Sequence, residues 1–255
     1  MDQLDLYDQQ AAKDDGVFTE PPLALQVRDN FIIDQIRRMQ EREGRTLQVT
    51  ELSIGGGHLS HLLCESCNID LLCAEISPRR IESVKRRLSA SPYLAEKKVA
   101  FVECNFDTQF DALPASASDV VIALDILEHV FDVFCFIANC HKILRPGGLL
   151  LLRTPNVAFI RHRVGLLFGR LPITASWFGP LGELKAWRDN YSWDGGHLHL
   201  FTIPILRKLL EEQGFLIEDF RDAGARLEWI RNLWPNLLYA NPLIIAKKHD
   251  VGRGK

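Results

Sequence analysis

The chain has 255 residues, 47% of them hydrophobic and 25% charged, which is the composition of a globular protein with a full core. Its net charge is −3, from 30 basic and 33 acidic residues, so we expect no nonspecific electrostatic binding to nucleic acid. The acidic N-terminus is unlike a signal peptide, and no apolar run is long enough to cross a bilayer. These features predict a cytoplasmic protein with at most peripheral membrane contact.

The first predicted helix covers residues 21–44. Leu25, Ile32, Ile36 and Met39 recur there at helical spacing, and Gly44 is expected to end the helix. We expect this helix to cap whatever core follows it.

From residue 47 onwards, strand and helix patterns alternate. Strands are predicted at 47–54, 69–76, 98–103, 118–125 and 149–154. Helices are predicted at 58–66, 77–91 and 131–144, and RPGG at 145–148 is expected to be a turn. Alternation of this kind predicts a parallel sheet covered by helices on both faces.

The alternation stops after residue 156. Residues 157–196 are aromatic and basic with scattered Gly and Pro, which is typical of an inserted lid. A helix at 201–215, ended by Gly214, and strands at 215–221 and 242–248 are predicted to complete the sheet.

Two of the six cysteines, Cys64 and Cys67, form a C-x-x-C. Such a pair occurs in redox and metal sites, but no second C-x-x-C and no histidine pair at ligand spacing accompanies it. We interpret the two as reduced thiols on a helix, and we expect no metal site.

Three glycines, 55–57, directly follow the first predicted strand. Parallel sheets bind ligands at the carboxyl ends of their strands. Gly55 and Gly57 are expected to let the chain turn sharply and to let a ligand approach, so a side chain at Gly57 should enter the ligand's space. A plain tight turn is the alternative.

Glu75, at the end of the second strand, indicates which ligand the turn would bind. A carboxylate at this position accepts hydrogen bonds from both hydroxyls of a ribose, as in dinucleotide oxidoreductases and in methyltransferases that use S-adenosylmethionine. Ser60 stands where the dinucleotide fingerprint has its third small residue, and Glu51 precedes the glycines. Glu51 would repel a pyrophosphate and attract a sulfonium or an amino group, so we favour the second class.

Five segments together resemble the class I S-adenosylmethionine-dependent methyltransferases, in the subgroup of ubiquinone-biosynthesis-like and sugar-modifying enzymes. The segments are ELSIGGG (51–57), AEIS (74–77), DVVIALDILEHVFD (119–132), LRPGGLLLLRTPN (144–156) and GGHLHLFTIPILRKLLEEQGF (195–215). The resemblance implies a Rossmann-like α/β fold, with a seven-stranded, mostly parallel sheet and helices on both faces. It divides the chain into an N-terminal tail and cap helix (1–45), a cofactor-binding core (46–156), a lid insertion (157–196) and the rest of the sheet (197–255).

The resemblance also implies which residues contact S-adenosyl-L-methionine. They are Glu51, Ser53, Gly55, Gly57, Glu75, Ile76, Asn105, Phe106 and Asp125. Ser53 replaces the first glycine of the family motif, and Asn105 replaces an acid that takes the adenine amino group. The Asn105 carbonyl could accept that hydrogen bond, and Phe106 could pack on the adenine or belong to the core.

The candidate catalytic bases are His197, His129 and Asp125, with His197 favoured because it opens the segment that returns over the sheet. LDIL after the fourth strand lacks the N-methyltransferase signature, which favours metal-independent O-methylation of a small-molecule or glycan hydroxyl. A non-catalytic methyltransferase-like binding subunit and an NAD-dependent oxidoreductase are the alternatives. The sequence does not give the oligomeric state.

The start of the lid carries Arg161, Arg163 and Arg170 among apolar residues. This pattern fits a basic amphipathic helix on a membrane or on a lipid-linked acceptor, and it fits an ordinary lid helix as well. Trp177, Trp187, Tyr191 and Trp193 follow, as suited to sugar stacking as to packing of the lid.

Overall fold

The computed structural model describes residues 23–89, 99–172, 174, 197–222 and 228–249. Its helices are α1 (Leu23–Glu43), α2 (His58–Ser66), α3 (Pro78–Ser89), α4 (Val133–Ile143), α5 (Ile160–Leu167), α6 (Ile203–Glu212), α7 (Glu228–Arg231) and α8 (Pro235–Leu238). Its strands are β1 (Leu47–Leu52), β2 (Ile69–Glu75), β3 (Val99–Glu103), β4 (Ser118–Leu124), β5 (Leu144–Arg153), β6 (Phe215–Arg221) and β7 (Leu243–Lys248). The predicted tail, 1–22, and the lid residues 173 and 175–196, with Trp177, Trp187, Tyr191 and Trp193, lie outside the described residues.

The seven strands form one sheet in the order β3-β2-β1-β4-β5-β7-β6. Strands β1 to β5 are parallel, and β7 is antiparallel to both β5 and β6. The predicted Rossmann-like fold with a mostly parallel sheet is confirmed. The strand order reverses between β1 and β4, and such a reversal opens a crevice at the carboxyl ends of the strands.

The sheet is covered by apolar layers on both faces. On one face Ile36 of α1, Leu63 of α2 and Val84 of α3 are each fully buried in a single cluster. On the other face Ile137 of α4 and Leu210 of α6 are buried equally well. Because strands buried on both sides have no polar face, they read as continuous apolar runs in the sequence.

The ends of several helices follow the predicted signals. Ser77 caps α3 by accepting a hydrogen bond of 3.1 Å from the Arg80 backbone N–H, and Gly44 and Gly214 take left-handed φ of 64° and 82° after α1 and α6. The sequence analysis missed Asp132, whose carboxylate caps α4 through the Cys135 N–H at 2.9 Å.

One local prediction is wrong. RPGG is a bulge inside β5 and not a turn that precedes it. The pairing passes from Ser118↔Leu144 to Val120↔Leu149, so the four residues between those partners bow out of the ladder, with Gly147 at a φ of 71°. The pairing of Leu144 with β4 keeps the segment within the strand.

None of the helices in the described residues is both long and apolar enough to span a membrane.

Candidate functional site

A cleft lies at the carboxyl ends of β1, β2, β3 and β4. Its empty volume, with the open mouth included, is about 380 Å³. The residues lining it are Ser53, Glu75, Ile76, Asn105, Phe106, Asp107, Ile126, His129 and Val130. Five of the nine candidate cofactor residues therefore line this cleft, whereas Glu51, Gly55, Gly57 and Asp125 lie outside its lining.

The glycine turn joins β1 to α2 through three left-handed residues. Ser53, Gly55 and Gly57 have φ of 60°, 52° and 74°. Ser53 carries a Cβ in a region that favours glycine, which costs about 1–2 kcal/mol, and its N–H is held by the Ala74 carbonyl of the neighbouring strand at 2.9 Å. Ser53 thus adopts a glycine-like backbone conformation in spite of its side chain.

The interpretation of Gly57 needs correction. A Cβ added there would lie 2.5 Å from Cγ1 of Val84 on α3, so the space that Gly57 leaves open is filled by the protein itself. A Cβ on Gly55 would meet nothing within 4 Å. Gly57 thus allows α2 and α3 to pack closely, while Gly55 borders open space.

Glu75 has one carboxylate oxygen committed to the protein and one that accepts no hydrogen bond. Oε1 accepts from the backbone N–H groups of Ile76 and Ser77 at 3.0 and 3.2 Å. Oε2 is buried, and the nearest cation is the Arg80 guanidinium at 3.6 Å. Burial raises the pKa of Glu75, while Arg80 and the two N–H groups oppose that shift. The structure therefore leaves an acceptor oxygen at the edge of the cleft.

Glu51 is buried beneath the glycine turn at 4% exposure. Ser60 donates a hydrogen bond of 2.6 Å to its Oε2. Burial raises the pKa of Glu51 to about 7, with Ser60 and Arg28 lowering it and Asp29 and Glu75 raising it further. A small increase in positive charge nearby would ionise this carboxyl group.

The sequence analysis missed two residues of α1 near this edge of the sheet. Arg28 donates from Nε to Oδ1 of Asp29 at 2.7 Å, and its Nη1 lies 4.0 Å from Oδ2 of Asp125. Asp29 is fully buried, and its Oδ2 accepts no hydrogen bond. A signal was present, because Asp29 falls on the same helical stripe as Ile32 and Ile36.

The predicted adenine contacts have roles inside the protein as well. Asn105 Oδ1 already accepts a hydrogen bond of 2.9 Å from the Asp107 N–H, which leaves one lone pair for a ligand. Phe106 is 7% exposed, and its ring centroid lies 5.6 Å from Phe110 and 6.0 Å from Phe136. Phe106 is therefore a core residue that also lines the cleft.

The two predicted histidines meet above the tip of β4. The rings of His129 and His197 lie 4.7 Å apart, edge to face. His197 Nδ1 is 2.6 Å from Thr174 Oγ1, and its Nε2 is 4.0 Å from Glu128 Oε1. Both nitrogens of His197 thus face protein groups, whereas His129 lines the cleft.

Glu128 is a further residue that the sequence analysis missed. Thr154 donates to its Oε2 at 2.9 Å, and its Oε1 accepts no hydrogen bond. Burial raises the pKa of Glu128 to about 8, with the Asp125 charge adding to the effect. One ligand atom from each of Glu128, His129 and His197 lies within 4.8 Å of the other two, which is compact enough to hold a metal ion. The expectation of no metal site came from sequence spacing, and this cluster is assembled across the fold.

Asp125 directly follows β4 in a left-handed conformation, with a φ of 53°. Its N–H donates to the Arg153 carbonyl at 2.9 Å, and the Arg153 guanidinium donates from Nη1 to its Oδ2. The side chain of Asp125 is 38% exposed. Ile126, the next residue, lines the cleft, so Asp125 stands beside it.

Comparison with known proteins finds a family model that matches this chain. The model of a family described as "Methyltransferase domain" matches residues 25–219, about three quarters of the chain. A ubiquinone biosynthesis O-methyltransferase of Rhodopseudomonas palustris is 29% identical over 136 residues, which are 51% of this chain and 50% of that protein. The chain thus spans about half the length of the curated relatives it matches.

Solved structures share the fold at low identity. The DszA carbon methyltransferase superposes with a TM-score of 0.58 at 17% identity, covering 88% of this chain and 54% of the other. The [4+2]-cyclase SpnF superposes with a TM-score of 0.54 at 12% identity, covering 80% and 75%. Two differently named reactions therefore occur on this fold, so the fold alone does not decide which reaction a chain performs.

We predict that Gly57→Ala lowers the free energy of unfolding more than Gly55→Ala does. Both substitutions place a Cβ on a left-handed backbone, at about 1–2 kcal/mol each. Only Gly57→Ala also collides with Val84, which adds about 1–3 kcal/mol of overpacking. Urea denaturation of the two variants measures the difference, and adding Val84→Ala should restore part of the loss at Gly57. Equal costs at the two glycines would contradict the packing role of Gly57.

Proposed function

Since the chain belongs to the methyltransferase-domain family that matches residues 25–219, we propose that it transfers a methyl group from S-adenosylmethionine to an oxygen atom of its acceptor. Membership of the family assigns this cofactor, which when bound supplies an electrophilic methyl group. The observation that carries the proposal is Glu75, which lines the cleft and whose buried Oε2 accepts no hydrogen bond.

The nucleoside half of the cofactor fits the residues that line the cleft. Glu75 Oε2 would accept from a ribose hydroxyl, while Oε1 stays bound to the backbone and fixes the side chain. Asn105 would offer its remaining lone pair to the adenine amino group, and Phe106 would contact the base. These assignments use the side chains in the rotamers they already have, so little reorganisation is needed on binding.

The methionine half would lie toward α1, where the charges suit a zwitterion beside a sulfonium. Arg28 is held by Asp29 and would pair with the carboxylate of the cofactor. Glu51 and the free Oδ2 of Asp29 would attract its positive groups. A pyrophosphate at the same place would meet these acids, which weighs against the dinucleotide alternative.

The chemistry required of the protein is mostly alignment, because a direct displacement needs the acceptor oxygen, methyl group and sulfur in line. The protein also has to accept a proton if the acceptor is a hydroxyl. His129, His197 and Asp125 are the candidates. We rank His197 below the other two, since Thr174 and Glu128 face both of its nitrogens.

The acceptor side of the cleft is rimmed by exposed apolar side chains. Phe131 is 71% exposed and Leu198 and Leu200 are each 49% exposed, next to the histidine pair. The matching relatives are named as O-methyltransferases of ubiquinone biosynthesis, which supports an oxygen acceptor. We therefore infer a small-molecule or glycan hydroxyl whose acceptor carries an apolar part, such as a lipid tail.

Two measurements test the function and its rivals. Isothermal titration should show binding of S-adenosylhomocysteine and none of NAD, whereas NAD binding would favour an oxidoreductase. Labelled S-adenosylmethionine should then methylate catechol or octyl glucoside, with and without EDTA. Binding without any transfer would favour a non-catalytic subunit. If EDTA abolishes transfer and a divalent cation restores it, the reaction depends on a metal ion. Glu128, His129 and His197 would then be the candidate metal site.

We predict that Glu75→Gln weakens binding of S-adenosylhomocysteine by about 1.5–3 kcal/mol, the range for hydrogen bonds to charged groups. The substitution replaces an acceptor oxygen with a donor while keeping the shape of the side chain. Glu103→Gln is the matched control, because Glu103 pairs with Glu75 in the sheet register but is exposed. Titration calorimetry of both variants gives the comparison. If Glu75→Gln binds as tightly as the parent, the ribose assignment is wrong.

We predict that the affinity for S-adenosylmethionine rises between about pH 6 and 7.5, because the pKa of Glu51 is about 7. Below that pKa the carboxyl group is neutral, and above it the carboxylate attracts the positive groups of the ligand. Binding near pH 6.5 should therefore release protons, measured by calorimetry in buffers of different ionisation enthalpy. Ser60→Ala removes a hydrogen bond that lowers the pKa, so it should move the rise to higher pH. An affinity that does not change with pH would show that the charge of Glu51 does not affect cofactor binding.

We propose a peripheral membrane contact for α5, which has no buried residue. Leu167 and Phe168 are 83% and 77% exposed beside Arg170. The protein should sediment with anionic vesicles at about 0.05 M salt and be released at about 1 M, where charges are screened within about 3 Å. Phe168→Asp should abolish sedimentation and Leu216→Asp, on the exposed face of β6, should not. If the protein does not sediment with vesicles at low salt, the membrane contact is rejected and α5 is interpreted as part of a lid.

A further inference from the structure

Asp125 is held from two sides at a single oxygen. The Arg153 guanidinium donates to Oδ2, and Arg28 Nη1 approaches the same oxygen at 4.0 Å. Within the described residues, no hydrogen bond or ion pair reaches Oδ1. The side chain is 38% exposed, whereas those of Arg28 and Arg153 are each 12% exposed. One oxygen of Asp125 is thus committed to the protein, and the other is presented beside the cleft.

The backbone adds a second point of attachment between the same two residues. Leu124 pairs with Arg153 in the sheet, and the N–H of Asp125 donates to the Arg153 carbonyl at 2.9 Å. Asp125 adopts a φ of 53° at the turn that follows, in the left-handed region that residues with a Cβ seldom occupy. Strain of this kind persists only where surrounding contacts enforce it. Here Arg153 supplies two such contacts, one from its backbone carbonyl and one from its guanidinium.

We propose that Arg153 is a positioning residue that fixes Asp125 by Oδ2 and presents Oδ1 to the hydroxyl group of the methyl acceptor. The inference rests on the proposed function and names which candidate base acts in it. Asp125 is preferred because its side chain is 38% exposed beside the cleft and its second oxygen accepts no hydrogen bond within the described residues. By contrast, both nitrogens of His197 face Thr174 and Glu128.

The step balances with groups already named. The acceptor oxygen forms its bond to the methyl carbon as the sulfur–methyl bond breaks, and the electron pair of that bond stays on sulfur. The proton of the acceptor hydroxyl passes to Asp125 Oδ1 and later to solvent, since the side chain is partly exposed. No oxidant, reductant or further co-reactant is required.

The charged and polar groups around Asp125 are consistent with this role. Glu128 lies three residues beyond Asp125 in the turn that follows β4, and each would repel the other's negative charge. Arg153 neutralises Asp125, while Thr154, the next residue on the chain, donates to Glu128. The tip of β5 therefore supplies a separate partner to each of the two acids that follow β4.

The test compares Arg153→Met, which removes the guanidinium, with Arg153→Lys, which keeps the charge. With whichever of catechol or octyl glucoside the protein methylates, Arg153→Met should lower kcat by about 10²-fold or more, the low end of the effect of a positioned base. Its KM for the acceptor and its affinity for S-adenosylhomocysteine should change less than about threefold. Arg153→Lys should recover part of kcat.

Non-additivity separates a positioning role from a merely structural one. Asp125→Asn should lower kcat as much as Arg153→Met does, and the double variant should be no slower than either single variant, because the two residues act as a unit. Arg231→Met is the matched control, since Arg231 forms the same kind of pair with Asp222 and does not touch Asp125. It should cost stability and leave kcat within about threefold of the parent.

Two results would overturn the proposal while leaving the function intact: full kcat in Asp125→Asn, or effects of the two variants that multiply. A crystal structure with S-adenosylhomocysteine needs no acceptor and provides an independent readout. The Asp125 carboxylate should leave its position in Arg153→Met, although the backbone carbonyl of residue 153 still holds the Asp125 N–H. An unchanged carboxylate in that variant would also reject the proposal. Failure of the parent to bind S-adenosylhomocysteine would instead reject the proposed function.

Discussion

Crowding of carboxyl groups at the tips of parallel strands is the constraint on which the site depends. Parallel strands end at one edge, so Glu75 and Asp125 are brought together with Glu51 and Glu128 between two apolar layers. Each acid accepts hydrogen bonds from a different donor: backbone N–H groups for Glu75, a serine for Glu51, an arginine for Asp125 and a threonine for Glu128. Because the four acids differ in their partners and in their exposure, the edge becomes a site with distinct positions.

Backbone strain is concentrated at the same edge. Ser53 and Asp125 are left-handed residues with side chains, and they follow the two strands between which the order of the sheet reverses. A hydrogen bond to the neighbouring strand holds each of them, to Ala74 and to Arg153. The sheet thus stabilises two turns that the local sequence alone would not favour, and it does so where a ligand would lie.

The fold and the chemistry are separable in this protein. A carbon methyltransferase and a [4+2]-cyclase superpose on the chain with similar TM-scores, so the architecture is compatible with more than one reaction. The side chains on the shared edge, which include Arg28 and Asp29 from α1 and Arg153 from β5, are what a bound ligand would meet. Arguments about its reaction therefore have to start from these residues and their contacts.

Residue spacing alone predicted the alternation of strands and helices, the glycine turn, an acid at the end of β2 and the end of α1 at Gly44. These features depend on local spacing or on the rule that parallel strands share one edge, which can be applied without coordinates. The folded structure was needed to show that Gly57 packs against Val84, that RPGG belongs to β5, and that Arg153 forms an ion pair with Asp125. Those contacts join segments that are distant along the chain, and their geometry is set by how helices and strands pack, which no local periodicity encodes.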